Sequence, residues 1–206
     1  MEQFYKMLSE YNKGIDFEEE WPLIYTEDEP PVYWKTLANV MNKYDREKMC
    51  FEIGSGAGDV ISLIMSMGFT NVKGIELNDN LAKIANNKIS YFFNLSDICI
   101  NAKFPINLNF VVDLLIMVNC VYWENCSTKG EYLNKIQKFY KLCGEPTIFL
   151  WEVIDDVEQE GVYPEYVRVS PEDVRSIFLN YYIEKIDTYR WPENTSSKCL
   201  YIIEKR

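Results

Sequence analysis

A short apolar run that ends in three closely spaced glycines constrains the fold more than any other stretch of the chain. Residues 48–53 form the run, and Gly54, Gly56, Gly58 and then Asp59 follow it. Such a run is typical of a buried parallel strand. Glycines let the backbone turn sharply and approach a ligand closely, because no Cβ stands in the way. We therefore predict a strand, a tight turn and a helix start, which together make a cradle for a cofactor.

A carboxylate follows at the distance expected of a ribose ligand. Residues 71–76 are predicted to form a second strand that ends at Glu76, about twenty residues after the glycines. Glu76 would accept hydrogen bonds from both hydroxyls of a ribose. The glycines alone indicate only a tight strand-to-helix turn, whereas the glycines with Glu76 favour a nucleoside cofactor.

The glycine pattern resembles that of one family. Glu52-x-Gly54-x-Gly56-x-Gly58 is similar to the first motif of the class I S-adenosylmethionine-dependent methyltransferases. Proteins that bind NAD use G-x-G-x-x-G, in which the third glycine comes one residue later. The resemblance covers residues 45–206. It implies an α/β, Rossmann-like fold with a seven-stranded, mostly parallel sheet, an antiparallel C-terminal hairpin and helices on both faces.

The resemblance also implies which residues bind S-adenosyl-L-methionine or the product S-adenosyl-L-homocysteine. The glycine loop would pass under the methionine part, Glu76 would hold the ribose, and Asp97 and Ile98 would contact the adenine. A turn-forming aspartate is the alternative for Asp97. The full predicted cofactor set is Glu52, Gly54, Ser55, Gly56, Gly58, Glu76, Leu77, Asp97, Ile98 and Asn119.

Residues 1–44 precede the resembling domain and are expected to form a helical lid over the methyl acceptor. Their aromatic side chains are candidates for an acceptor pocket, or else pack the N-terminal helices onto the sheet. They are Tyr11, Trp21, Tyr25, Tyr33 and Trp34.

A second group of candidates follows the predicted fourth strand, residues 111–119. Ligands lie beyond the C-terminal ends of strands in open α/β sheets. Asn119-x-x-Tyr122 echoes a motif of amino methyltransferases but lacks its two prolines. Asn119, Tyr122 and Glu124 are the predicted catalytic residues. Trp123 and Glu152 are predicted to contact the acceptor, and strand-end packing is their alternative role.

Composition narrows the possible partners and chemistry. The net charge of −11 disfavours nucleic acid and anionic membranes as partners, because both require a basic surface. Six scattered cysteines, no C-x-x-C pair and no signal peptide indicate a cytoplasmic protein with free thiols. The chain has no histidine, so we expect neither a zinc site nor a histidine base. A base would then be a carboxylate or a tyrosine, whereas an amine can lose its proton to water.

The sequence therefore predicts an S-adenosylmethionine-dependent methyltransferase that acts on a small molecule or a peptide. A nitrogen acceptor is slightly favoured over an oxygen acceptor. The alternatives are a protein methyltransferase and a non-catalytic cofactor-binding partner protein, and the oligomeric state is not predicted.

The remaining predicted elements are helices at 2–13, 33–44, 59–67, 78–87, 127–142 and from 170, a loop at 16–31, and strands at 89–94, 146–154, 182–189 and 199–204.

Overall fold

The computed structural model describes residues 1–118, 120, 123–156, 163–190 and 197–206. Within these ranges the chain forms two compact units, Met1–Ile106 and Asn107–Arg206. None of the helices in these ranges combines the length and the apolar character that crossing a membrane requires.

The first unit contains three parallel strands in the order β3-β2-β1, so that β2 is the central strand. Three helical segments precede the first strand, and helices connect the strands. The elements are α1 (Glu2–Lys13), a 3-10 helix (Trp21–Thr26), α2 (Val32–Met41), β1 (Cys50–Ile53), α3 (Asp59–Ser66), β2 (Val72–Glu76), α4 (Asp79–Phe93) and β3 (Cys99–Asn101).

Helix α3 is buried around its whole circumference. Every residue from Asp59 to Met65 is buried, and apolar residues such as Ile61 and Leu63 occur on all of its sides. An all-round apolar helix needs covering on every face. The strand β2 packs on one side of α3, and helices α1 and α2 contact it as well. The N-terminal helices are therefore part of the core of this unit.

The second unit contains strands in the order β4-β5-β8-β7, with the short β6 beside the end of β5. Strands β4, β5 and β6 are parallel to one another, whereas β8 and β7 form the predicted antiparallel hairpin. The elements are β4 (Leu114–Met117), α5 (Lys129–Leu142), β5 (Ile148–Asp155), a 3-10 helix (Glu165–Val167), β6 (Arg168–Val169), α6 (Pro171–Ile177), β7 (Tyr181–Arg190) and β8 (Ser197–Lys205). The described residues thus form eight strands, and the two-residue β6 is the one that the predicted count omits.

Side-chain caps begin several helices where local chemistry predicts them. The Asn78 side chain accepts hydrogen bonds from two backbone N–H groups of α4. Ser170 and Asp173 form a reciprocal capping box at the start of α6, with Pro171 as the first helical residue. Helix α5 begins at Lys129, two residues after the start of the predicted helix 127–142, and Thr128 is its N-cap.

The predicted strand at residues 89–94 is wrong, because helix α4 continues through this segment to Phe93. Its aromatic composition favours a strand, but Leu81, Ala85 and Ile89 share a buried side at a spacing of four residues. Phe92 also packs against Phe4 of α1, with ring centroids 5.4 Å apart. The third strand is instead Cys99–Asn101. The predicted loop 16–31 likewise contains the 3-10 helix Trp21–Thr26.

A buried charge pair links α3 and α4. The ammonium group of Lys88, which is fully buried, donates to Asp59 Oδ1 at 2.6 Å. Asn12 of α1 donates to the same oxygen from Nδ2 at 2.9 Å. Burial lowers the pKa of Lys88, while Asp59 acts in the opposite direction. Three helices of the first unit therefore meet at one carboxylate.

We expect Lys88→Met to lower the free energy of unfolding by about 3–5 kcal/mol, because it leaves the Asp59 carboxylate buried without its counter-charge. Urea unfolding followed by circular dichroism measures the change. Lys83→Met is the matched control, since Lys83 pairs with Asp79 on the exposed face of the same helix. A loss no larger than that of the control would contradict a structural role for the buried pair.

Candidate functional site

The glycine turn after β1 has the left-handed backbone that the sequence predicts. Gly56 and Gly58 have φ angles of 52° and 78°, which a residue with a Cβ adopts only at a cost. A Cβ on Gly58 would also lie 2.8 Å from Cβ of Ala85 in α4. Gly58 thus allows close packing between the turn and α4, and it caps the start of α3. Gly56 is at the tip of the turn.

Glu76, the last residue of β2, holds the glycine turn in place. One carboxylate oxygen accepts a hydrogen bond from the backbone N–H of Gly56 at 2.8 Å, and the other accepts from that of Asn78 at 2.8 Å. A carboxylate offers about four acceptor positions. Glu76 therefore retains capacity for two further donors, as the two hydroxyls of a ribose would require.

Glu52 contributes a buried acceptor beneath the turn. Its side chain is 2 % exposed, and Oε2 has no hydrogen-bond partner among the described residues. Burial raises the pKa of Glu52 well above its ordinary value, and the charges of Asp59 and Glu76 add to this effect. A buried polar atom without a partner needs a donor from a ligand or from water.

Ser55 faces the sheet. Its hydroxyl lies 3.1 Å from the thiol of Cys99 in β3. Gly74 of β2 makes this packing possible, because a Cβ there would lie 2.9 Å from Cβ of Ser55 and 2.4 Å from Cδ1 of Ile61. Sequence reasoning did not select Gly74, although a glycine inside a strand is a known sign of close backbone approach.

The residues predicted to contact the adenine lie at the wrong end of β3. Asp97 and Ile98 precede this strand, because α4 extends through the segment predicted to be the strand. In the parallel pair, Asn101 is beside Glu76 at the C-terminal end. The Asn101 amide Nδ2 donates to the backbone oxygens of Glu76 and Leu77, each at 3.2 Å. Asn101, which the sequence analysis missed, therefore stands where Asp97 was expected, next to the exposed side chain of Leu77.

Most of the predicted acceptor aromatics pack within the N-terminal helices. Trp34 is fully buried, and its ring centroid lies 5.3 Å from that of Tyr5 and 6.1 Å from that of Tyr25. Tyr25 and Tyr33 are buried as well, and their hydroxyls contact each other. These three side chains thus adopt the packing role that is the alternative to an acceptor pocket.

Tyr11 and Trp21 are the more accessible members of the same predicted set. Tyr11 packs against Tyr91 and Phe92 at the end of α4, with ring centroids 4.9 and 5.4 Å away. Trp21 is 48 % exposed, and its six-membered ring contacts Gly56 at the tip of the glycine turn. Of the predicted acceptor aromatics in the first unit, Trp21 is thus the one at the glycine turn.

The predicted acceptor and catalytic residues of the second unit are described in part. Glu152 is a buried residue of β5, while Glu124 is exposed and Trp123 is half-buried. The backbone oxygen of Glu124 accepts a hydrogen bond from the Lys135 ammonium group. The predictions for Asn119 and Tyr122 fall outside the described residues.

The groups of the first unit fit a nucleoside cofactor with an amino-acid tail. A glycine leaves the tip of the turn without a side chain, Glu76 has acceptor capacity for hydroxyls, and Glu52 offers a buried acceptor that lacks a donor. All three features lie at the C-terminal ends of adjacent parallel strands, where open α/β folds bind ligands.

No family model matches the sequence, and no curated protein matches it. Solved structures do. Magnesium protoporphyrin IX methyltransferase ChlM from Synechocystis PCC 6803, determined with bound SAM, is 13% identical with a TM-score of 0.65, and the match covers 98% of this chain and 97% of that one. The sugar N-methyltransferase KedS8 from Streptoalloteichus sp ATCC 53650 is 13% identical, with a TM-score of 0.62 over 94% and 95% of the two chains. An S-adenosylmethionine-dependent methyltransferase from Clostridium acetobutylicum ATCC 824 is 12% identical, with a TM-score of 0.59 over 98% and 99%.

These likenesses establish the fold. The chain has the Rossmann-like α/β fold of the class I methyltransferases, with mostly parallel strands and an antiparallel C-terminal pair. The fold class implied by the glycine motif is therefore confirmed. At identities of 12–13%, the likeness carries the fold and leaves the activity to the site residues.

The raised pKa of Glu52 predicts a pH dependence of stability. A group with a higher pKa in the folded protein stabilises the fold fully below its unfolded pKa, and this contribution is lost as the pH rises through the folded pKa. We expect wild-type protein to lose stability relative to Glu52→Gln as the pH rises from 4.5, the ordinary value for glutamate, towards and beyond neutrality. Urea unfolding across this interval measures the difference.

The control for this prediction is Glu19→Gln, which changes an exposed glutamate of the same unit. Its stability should run parallel to that of the wild type over the whole interval. A constant difference between wild type and Glu52→Gln would show that the buried carboxyl does not titrate differently on folding.

Proposed function

We propose that the protein is an S-adenosylmethionine-dependent methyltransferase that methylates a nitrogen atom of a small molecule. The observation that carries this proposal is the hydrogen bond from the Gly56 N–H to Glu76, at 2.8 Å. It joins the two parts of the motif, the glycine turn and the acidic end of β2, into one surface. The motif itself, with its third glycine one residue early, favours this cofactor over NAD.

Each part of the cofactor has a candidate partner in the first unit. Glu76 accepts from the ribose hydroxyls with the acceptor capacity that its two backbone hydrogen bonds leave. Glu52 accepts, directly or through water, from the amino group of the methionine part. Asn101 uses its Nδ2 for backbone oxygens, which leaves Oδ1 to accept from the adenine amino group.

The absence of histidine from the chain favours a nitrogen acceptor. When bound, S-adenosylmethionine supplies a methyl group on a positively charged sulfur. The protein then mainly has to align the acceptor lone pair with it. An amine can lose its proton to water beforehand, whereas a hydroxyl needs a base. Burial raises the pKa of Tyr5 to about 12 and also raises that of Tyr11, which makes both tyrosines poor bases at neutral pH.

The solved structures with this fold are consistent with a small acceptor. They include enzymes whose names specify a sugar nitrogen and a magnesium porphyrin. For this chain, Tyr122, Trp123, Glu124 and Glu152 remain the proposed contacts to the acceptor, and Asn119, Tyr122 and Glu124 remain the proposed catalytic residues. We propose a cytoplasmic location on the basis of the free cysteines.

Calorimetric titration with S-adenosylhomocysteine, beside a parallel titration with NAD, tests the cofactor. We expect micromolar binding of the first ligand and none of the second, because the glycine spacing suits the former. Binding of NAD alone would overturn the proposal.

Transfer of a labelled methyl group tests the activity. The protein is incubated with methyl-labelled S-adenosylmethionine and a cell extract separated into small molecules and macromolecules. We expect label in the small-molecule fraction. Label in protein would identify a protein methyltransferase instead. Cofactor binding with label in neither fraction, together with a stable protein partner, would identify a non-catalytic binding protein.

Replacing the acidic end of β2 tests the ribose contact. Glu76→Ala removes both the proposed ribose acceptor and the support of the Gly56 N–H, and we expect it to cost about 1–3 kcal/mol of S-adenosylhomocysteine binding free energy. Asp79→Ala is the matched control, because it removes an exposed carboxylate three residues later. Equal affinities of the two variants would contradict the placement of the ribose at Glu76.

A further inference from the structure

The indole ring of Trp21 is directed edge-on at Gly56, with Cη2 as the nearest atom. A Cβ built on Gly56 would lie 2.4 Å from Cη2 of the indole, and 3.3 and 3.4 Å from its neighbours Cζ2 and Cζ3. A ring lying flat on the glycine would bring these three atoms to similar distances, so the leading edge of the indole is directed at Gly56. The space that a glycine keeps clear for a ligand is therefore filled by a side chain of the same unit.

Trp21 is held weakly in this position. It is 48 % exposed, whereas Trp34 is fully buried between aromatic rings. Across the described part of the chain, the Trp21 indole makes neither a hydrogen bond nor a ring–ring contact. Its position depends on van der Waals contact alone, and side chains of this kind change rotamer readily.

The rest of the 3-10 helix is fixed to the core. The buried side chain of Asn12 donates from Nδ2 to the backbone oxygen of Tyr25 at 3.3 Å and to Asp59 at 2.9 Å. The Tyr5 hydroxyl also reaches the backbone oxygen of Ile24 at 3.4 Å. Residues 18–20, which precede Trp21, are exposed. Rotation of the Trp21 side chain can thus clear Gly56 while the end of the 3-10 helix stays in place.

We propose that Trp21 is a removable plug of the glycine turn, which competes with the cofactor and must leave Gly56 before the cofactor can bind. This inference rests on the proposed function, because it takes the glycine turn as the cofactor site. A binding site that is open for only a fraction of the time has its apparent affinity reduced by that fraction. Removing the plug should therefore tighten binding, whereas removing a wall of the site would weaken it.

The test compares S-adenosylhomocysteine affinity in wild type, Trp21→Ala, Trp21→Phe and Leu23→Ala by calorimetric titration. We expect Trp21→Ala to bind at least about threefold more tightly than wild type. Trp21→Phe should show much of the same gain, because a phenylalanine ring is too short to reach Gly56. Leu23→Ala is the matched control, since Leu23 is 47 % exposed on the same 3-10 helix, and its affinity should equal that of wild type.

A second measurement observes the plug directly. In the free protein, we expect a nuclear Overhauser contact between the Trp21 ring proton on Cη2 and the Gly56 α protons, and its loss on saturation with S-adenosylhomocysteine. Persistence of the contact in the saturated protein, or unchanged or weaker binding by Trp21→Ala, overturns the plug and leaves the proposed function intact. Failure of all four proteins to bind the ligand overturns the proposed function and the plug together.

Discussion

The carboxylate of Asp59 is the interaction on which the first unit depends. It follows the last glycine of the turn directly, and it accepts hydrogen bonds from Asn12 of α1 and Lys88 of α4 through one oxygen. A buried carboxylate is tolerated only with its partners in place. The positions of α1, α3 and α4 therefore depend on one another. The shape of the cofactor cradle is determined by these buried contacts of Asp59 as well as by the glycines of the turn.

The site has two layers with different duties. Glu76 forms the outer layer, because its side chain is half-buried and its carboxylate retains acceptor positions for hydroxyl groups. Glu52 and Asp59 lie beneath it and are almost completely buried. The lower layer takes both carboxyl groups out of water. Burial is the main cause of the raised pKa of Glu52, and the charges of Asp59 and Glu76 add to it. Such a shift is typical of functional sites, because ordinary cores avoid buried carboxyl groups.

The parts of the fold that the sequence predicted correctly are those decided by neighbouring residues. The turn at Gly56 and Gly58 follows from spacing and from the lack of a Cβ. The predicted helix starts at 78 and 170 agree with side chains of Asn78 and Ser170 that reach backbone groups within three residues. The two C-terminal strands were predicted from the segments 182–189 and 199–204, and their antiparallel pairing was implied by the family resemblance. For the turn and the helix starts, the information lies within one short segment.

The errors in the predicted elements and site residues arise where contacts between residues far apart in the sequence determine the structure. The segment 89–94 has the composition of a strand, yet packing against Phe4 and Tyr11 of α1 keeps it helical. Because of that error, Asp97 was expected at the C-terminal end of the third strand, the position that Asn101 occupies. The pairing of Asp59 with Lys88 and the contact of Trp21 with Gly56 join residues far apart in the chain. No local pattern encodes them, so only the folded arrangement reveals them.

The complete burial of α3 bears on how the N-terminal segment and the domain can be separated in evolution or in the laboratory. A lid that merely covers an acceptor can be lost at little cost to the fold it covers. Residues 1–44 instead supply one of the walls around an apolar helix. A chain without residues 1–44 would expose apolar side chains of α3 to water as a contiguous patch, and such patches favour self-association. The boundary that the motif suggested after residue 44 therefore separates two parts of the chain that share contacts around α3.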